Sequence, residues 1–346
     1  MSYISFQPKD YFNTKLYAGN GSTQTISGVG FEPSMTWAKA RTTTTNNVLQ
    51  STVQGLSTAQ FSNLAVAEST GLSNAITAYN SDGFALGDWS PLNASGQNFA
   101  SWNWKAGTTG SGTTTGAGTG KAYSYSVNTT SGFSVVKYVG NGTAGHTIPH
   151  HLGAVPKMLI TKNLGNTEHW RVYHVSLGNT EKINLNLTSA AASGSEWNST
   201  TPTSSVFTVG TGEQINYNDD NYIAYCYAEK QGYSKFDSYV GNGSADGTYV
   251  YTGFKPGWLL IKESSGAGND WRLYDSKRLG YNANNNQINV NTSNAEYTAT
   301  QIDLLSNGFK LRATDGGLNG SGATYIYMAF AEQPLVASNG NAATAR

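Results

Sequence analysis

Few residues in this sequence have types that do chemistry, and Cys226 is the first of them. A lone cysteine serves as a nucleophile when a neighbouring base activates it. In the alignment of internal repeats given below, however, the same position is Asn103 in one copy and Ala329 in another. A small side chain packed inside a sheet explains all three residues, so the sequence favours a structural role for Cys226.

A glycine-rich stretch ends in Gly120-Lys121, which resembles the end of a phosphate-binding loop. Such a loop needs a glycine where Thr115 stands, and a serine or threonine that reaches the metal where Ala122 stands. Both requirements fail. The stretch 106–120 contains only Ala, Gly, Ser and Thr, a composition typical of a flexible linker.

All five histidines lie in one short part of the chain, which raises the hypothesis of a metal site. They are His146, His150, His151, His169 and His174. Their spacing matches no familiar zinc pattern, and Glu168 is the one acidic residue among them. The sequence favours histidines in turns and at strand ends, and it predicts no metal and no other cofactor.

The carboxylates form no repeated catalytic pair. Asp219-Asp220-Asn221 and the asparagine-rich run 282–291 could offer oxygen ligands to calcium, but neither has the alternating acidic residues of a calcium loop. No two carboxylates recur together in the repeats, so the sequence offers no candidate for the pair of carboxylates that glycoside hydrolysis requires. The chain is therefore predicted not to be an enzyme, with a polysaccharide-degrading enzyme kept as an alternative.

These residues must be positioned by a unit that occurs three times. Its first element is Tyr-x-Gly-Asn-Gly, at 17–21, 138–142 and 239–243. Downstream, an apolar run begins at a proline and ends six residues later at a lysine, as in Pro33 to Lys39. The other two lysines are Lys162 and Lys262, and all three are assigned to protection of a sheet edge or to a structural ion pair.

Each repeat closes with a strand in which large residues alternate. At a period of two, one face of these strands carries Trp102 and Trp104, Tyr225 and Tyr227, and Met328 and Phe330. Hairpin turns are predicted at Asp82-Gly83 and Asn307-Gly308, because these pairs supply the positive φ that tight turns need. The best helix candidate is 56–76.

The remaining pattern of short strands and Gly, Asn, Ser and Thr turns predicts an all-β protein. The expected fold is three tandem antiparallel β-sandwich domains of one type, jelly-roll or lectin-like. The predicted boundaries are a first sandwich at 1–105, a Gly/Thr linker at 106–121, a second sandwich at 122–230, a third at 231–334 and a C-terminal tail at 335–346. A unit of about 100 residues can bury its own core.

Composition excludes several classes of protein. Lys+Arg and Asp+Glu each number 21, so the net charge is zero, and a nucleic-acid binder would need a basic excess. One cysteine allows no internal disulfide. The first ten residues lack the features of a signal peptide, and no apolar run is long enough to span a membrane.

The repeated elements, taken in order, resemble a module of tailed-bacteriophage virion proteins. The stretches that carry the resemblance are 6–21, 151–158, 222–236 and 253–256. In that family the modules occur in tail-fibre-like proteins, often of marine phages, and they carry no known catalytic residues. The resemblance covers almost the whole chain and implies a structural protein of the virion, made in the host cytoplasm.

The expected function is therefore that of a tail-fibre or receptor-binding component that adheres to a host-surface glycan. Loop aromatics suit a sugar face, and the candidates are Trp89, Trp197 and Tyr281. The alternative is a capsid-decorating or head-fibre protein that binds only other virion proteins.

The expected partners are other virion proteins and a glycan, with no nucleic acid and no membrane insertion. A homo-oligomer is predicted, with a trimer favoured by the resemblance. Long tail fibres usually begin with a separate anchoring domain, whereas here the module starts within the first dozen residues. Attachment is therefore expected through the first unit, through the tail at 335–346 or through an adaptor protein.

Overall fold

A computed structural model of the chain describes residues 6–278, 282 and 285–334. It is built almost entirely of antiparallel β-sheets arranged in sandwiches, which confirms the predicted all-β class. The helices among these residues are two single turns, α1 (Ser90–Asn93) and α2 (Gly316–Asn319), and a 3₁₀ turn at Pro8–Asp10. In this described part of the chain, no helix is long and apolar enough to cross a membrane.

The first unit pairs a five-stranded sheet with a three-stranded sheet. Their orders are β1-β8-β3-β4-β5 and β2-β7-β6. The strands are β1 (Phe12–Ala18), β2 (Gln24–Ser27), β3 (Met35–Ala40), β4 (Val48–Ser51), β5 (Gln60–Phe61), β6 (Ile76–Asn80), β7 (Gly83–Leu86) and β8 (Asn98–Trp104). The β6–β7 hairpin forms where it was predicted, with Ser81 and Asp82 as its two loop residues and Gly83 paired with Asn80.

The second unit has the same plan with extra strands. Its sheets run β17-β16-β15-β14-β19-β12-β11-β9 and β10-β13-β18. The strands are β9 (Thr108–Thr113), β10 (Thr115–Gly116), β11 (Ala122–Asn128), β12 (Phe133–Val139), β13 (His146–Pro149), β14 (Pro156–Asn163), β15 (Arg171–His174), β16 (Glu181–Asn184), β17 (Ala192–Ser193), β18 (Val206–Val209) and β19 (Asn221–Ala228).

The third unit repeats the plan once more, with sheets β20-β28-β22-β23-β24-β25 and β21-β27-β26. The strands are β20 (Ser234–Val240), β21 (Tyr249–Tyr251), β22 (Phe254–Glu263), β23 (Arg272–Asp275), β24 (Asn285–Asn289), β25 (Tyr297–Ala299), β26 (Ile302–Leu305), β27 (Gly308–Leu311) and β28 (Thr324–Pro334). The large sheets of the three units therefore share one strand order, seen as β1-β8-β3-β4, β12-β19-β14-β15 and β20-β28-β22-β23.

The stretch 106–121 is not a flexible linker. Its β9 pairs with β11, so that Tyr125 lies opposite Gly110 and Tyr123 lies opposite Gly112. A side chain on Gly110 would come within 2.8 Å of the Tyr125 ring. Glycine is required there because the tyrosines lie across the strand, and this cross-strand packing orders a segment whose composition alone predicts disorder.

The predicted helix over 56–76 is also absent. This stretch forms β5 and an isolated bridge between Ala59 and Ser69, and the Glu68 N–H then donates to the carbonyl of Leu164 in the second unit. The stretch lacks an apolar face at helical spacing, so nothing would hold a helix against the core. It serves instead as a contact between units.

A core shared by all three units lies between the large sheets. Trp104 of β8, Tyr227 of β19 and Phe330 of β28 occupy equivalent positions and form a triangle with ring centroids 5.7, 6.1 and 6.3 Å apart. The aromatic face predicted for the closing strands thus packs against the other units. Each sandwich has its own smaller core on the opposite face of the large sheet.

The units contact one another in a closed ring. The indole N–H of Trp170 in the second unit donates to the carbonyl of Phe61 in the first, and Trp271 in the third unit donates to Asn184 in the second. Asn47 stands at the corresponding place in the first unit, and its amide donates to Thr292 of the third. This head-to-tail arrangement closes after three copies. Whether 1–105, 122–230 and 231–334 are separate domains stays a prediction.

Candidate functional site

The repeated Tyr-x-Gly-Asn-Gly motif is held by a second asparagine that sequence analysis did not identify. In the third unit, Oδ1 of Asn319 accepts the N–H of Asn242 at 3.0 Å. The Asn319 amide donates to Oδ1 of Asn242 at 3.0 Å and to the carbonyl of Ser244 at 2.8 Å. Asn93 and Asn216 make the equivalent bonds in the other units. We call this arrangement the asparagine clasp.

The clasp explains both glycines of the motif. A side chain on Gly241 would lie 2.4 Å from the carbonyl oxygen of Gly320, and Gly243 has a φ of 67°. The sequence did contain a signal for the second asparagine. Asn93, Asn216 and Asn319 each stand six residues before the aromatic residue near the start of the closing strand. The motif is therefore a structural element rather than a binding loop.

The repeated lysines do not protect an edge. Lys39, Lys162 and Lys262 lie on β3, β14 and β22, which have a neighbouring strand on both sides. Each ammonium is buried and donates to main-chain carbonyls. For Lys39 and Lys262 one of these carbonyls belongs to another unit. Burial lowers the pKa of each to about 8.

The histidines lie at strand ends and turns, as predicted. His150 and His174 share one geometry, in which Nδ1 accepts the N–H two residues later and Nε2 donates to a carbonyl. These bonds occupy both ring nitrogens. Burial lowers the pKa of each to about 4. Among the described residues, no three His, Cys, Asp or Glu side chains group as metal ligands.

The other chemical candidates are also held in structural contacts. Cys226 is buried in β19, and burial raises the pKa of its thiol. Asp219 pairs with Lys121, and Asp220 accepts from the amides of Asn163 and Asn166. Part of the asparagine-rich run 282–291 lies outside the described residues.

The three predicted loop aromatics have different outcomes. The prediction that Trp197 is a binding residue is wrong, because its side chain is 1% exposed and its N–H donates to the carbonyl of Glu181 inside the second unit. Trp89 is half-buried against the core of the first unit, 6.2 Å from the ring of Phe61, and stays a candidate. Tyr281 lies outside the described residues.

An exposed aromatic pair that the sequence did not single out lies on the third unit. Tyr249 and Tyr251 are 44% and 57% exposed on the outer face of β21. Val250 between them is buried opposite Phe309, just as Ile26 and Ile148 are paired in the other units. Aligned on that core position, the tyrosines correspond to Thr25 and Ser27, and to Thr147 and Pro149. The pair is therefore specific to the third unit.

Polar groups border this tyrosine pair. Lys310 lies directly across from Tyr249 on β27 and pairs with Asp246, which is highly exposed. Gly308 stands across from Tyr251 and has no side chain beside the ring. The hydroxyl of Tyr249 lies 3.5 Å from the carbonyl oxygen of Asn307, at the β26–β27 turn. The result is an exposed aromatic pair with hydrogen-bonding groups beside it.

Comparison with known proteins places the whole repeat array in one family. No curated protein matches this chain at a significant level. One family model, described as a domain of unknown function, DUF7483, matches residues 7–334. A single model thus spans all three units together with the shared core and the ring contacts. The chain belongs to the DUF7483 family.

Proposed function

We propose that this chain is a bacteriophage virion protein that adheres to a glycan on the host surface through Tyr249 and Tyr251. The observation that carries the proposal is the exposure of two tyrosines side by side on a rigid sheet. Tyr217 and Tyr297 are the other exposed aromatic residues in the described part of the chain, and neither has a second exposed aromatic residue within two positions of it. Exposing apolar rings opposes solubility, so an exposed pair supports a role in recognition.

The chemistry of the surface suits a neutral sugar. A tyrosine ring offers a flat apolar face on which the C–H face of a pyranose packs, and its hydroxyl exchanges hydrogen bonds. The rim supplies a donor and an acceptor in Lys310 and Asp246. Because β21 pairs with β27 and its central residue is anchored in the core, the backbone that carries the two rings is fixed before the ligand arrives.

Binding to bacterial polysaccharides tests this proposal. The purified chain is applied to an array of lipopolysaccharides and capsular polysaccharides, and the affinity for the best ligand is then measured for Tyr249→Ala/Tyr251→Ala. Loss of two stacking rings is expected to cost about 2 kcal/mol, or roughly thirtyfold in affinity. Tyr217→Ala is the matched control, because Tyr217 is 50% exposed on the second unit. Equal affinity of the double variant and the wild type would refute the tyrosine site.

Location in the particle is tested separately. An antibody against the chain is expected to label the tail of the intact phage in electron micrographs. Labelling over the capsid would instead favour the capsid-decorating alternative, in which the tyrosine pair contacts another virion protein.

A further inference from the structure

A recess lies where the ring closes between the first and third units. It has a volume of about 200 Å³. The Pro8–Asp10 turn and β1 form one wall, and β22, β28 and the residues after β23 form the other. We call it the seam pocket, and its polar lining residues are Lys9, Asn13, Thr14, Ser276, Lys277, Glu332 and Gln333.

Thr14 is the most informative residue of the seam pocket. It is 7% exposed, and its hydroxyl has no hydrogen-bond partner among the described residues. An unpaired buried hydroxyl destabilises the folded protein, because it loses its hydrogen bonds to water and gains none. Thr14 shares a face of β1 with Phe12, whose ring packs on Phe330, so this face is directed towards the third unit. A molecule in the recess would supply the missing partner.

The charge of the recess favours an anion. Glu332 pairs with Lys255 at 2.9 Å, so its charge is compensated. Lys9 and Lys277 also line the recess, and neither ammonium has an ion pair within the described part of the chain. Lys9 comes from the first unit and Lys277 from the third. Two ammonium groups and a free hydroxyl donor match the acceptor oxygens of a carboxylate.

The size of the recess favours a ligand larger than a bare ion. Its volume of about 200 Å³ is several times the space that one water molecule needs. We propose that the seam pocket binds a small hydroxylated carboxylate of the sugar-acid class. Lys9, Lys277 and Thr14 bind the carboxylate, and Ser276 and Gln333 bind hydroxyl groups. This site is separate from the tyrosine pair and does not rest on the proposed function.

Calorimetry and thermal unfolding of the full chain test the proposal with sodium glucuronate, glucose and inorganic phosphate at one ionic strength. Glucuronate is expected to bind saturably and to raise the Tm, because a ligand that bridges two units stabilises the closed ring. Glucose is expected not to bind, and phosphate to bind more weakly. No binding of glucuronate would overturn the proposal. Equal binding of glucose, or phosphate binding as strong as that of glucuronate, would overturn it too.

Variants locate the site. Thr14→Val is expected to raise the Tm of the free protein, because it removes an unpaired hydroxyl. The same variant is expected to lower the affinity for glucuronate about fivefold. Lys277→Gln is expected to lower the affinity for glucuronate about tenfold. Lys15→Gln is the control, because it removes one charge from the opposite face of β1 and leaves the affinity within about twofold. An unchanged affinity in Thr14→Val, or an equal loss in Lys15→Gln, would contradict the assignment.

Discussion

Replacing Trp104 with alanine should weaken all three units, although the residue belongs to the first. Its ring lies 4.9 Å from Phe12 of the same unit and 6.3 Å from Phe133 and Tyr227 of the second. It also lies 5.6 Å from the ring of Trp258 in the third unit. The substitution therefore opens a cavity where the three large sheets meet.

The magnitude follows from two opposing contributions. Truncation of a buried tryptophan to alanine costs about 3–5 kcal/mol through lost contacts and the cavity. The indole N–H of Trp104 has no hydrogen-bond acceptor among the described residues. Its removal therefore raises the free energy of unfolding by about 1 kcal/mol or more, which offsets part of that loss. We expect a net loss of about 3 kcal/mol for Trp104→Ala. Trp104→Phe keeps one ring and removes the unpaired donor, so its cost should be near zero.

Urea unfolding gives the total loss, and hydrogen exchange with mass spectrometry shows where it falls. Amide protection is expected to drop in β19 and β28 as well as in β8, because all three strands lose packing at one point. Phe84→Ala is the control, because Phe84 lies in the core that the first unit forms alone. Its effect should be concentrated in β2, β6 and β7. Loss of protection confined to the first unit in Trp104→Ala would refute a shared core.

Three further predictions follow from the same contacts. Asn319→Asp should lower the free energy of unfolding by about 3 kcal/mol, because a carboxylate cannot donate to the clasp oxygens; a loss below about 1 kcal/mol in urea unfolding would contradict this. As the pH falls from about 6.5 to 4, His174 becomes protonated in the unfolded chain but stays neutral in the folded chain, so the free energy of unfolding should fall by up to about 3 kcal/mol through this residue. His174→Gln should flatten that part of the stability curve, and an unchanged slope would count against the assignment. Association into a trimer stays a prediction, and mass photometry should give three times 36.8 kDa; a mass of one chain would contradict it.

The sequence by itself determined the repeating unit and the local geometry of its turns. Hairpins at Asp82-Gly83 and Asn307-Gly308 were predictable because Ser, Asp, Asn and Gly favour turns through local backbone preferences, although of these two glycines Gly83 alone has a positive φ. The two-residue period of the closing strands was likewise visible, because burial on one face of a strand selects alternate positions. The all-β class follows from these local signals alone.

Only the tertiary structure decided which surfaces those faces meet. Alternation shows that Trp104 is buried, but it does not distinguish a core within one unit from a core between three, since both exclude water equally. Gly110 and Gly112 predict flexibility until Tyr125 and Tyr123 are placed across them. The exposure of Tyr249 and the free hydroxyl of Thr14 likewise depend on which strands become neighbours. These contacts join residues far apart in the chain, and no local pattern encodes them.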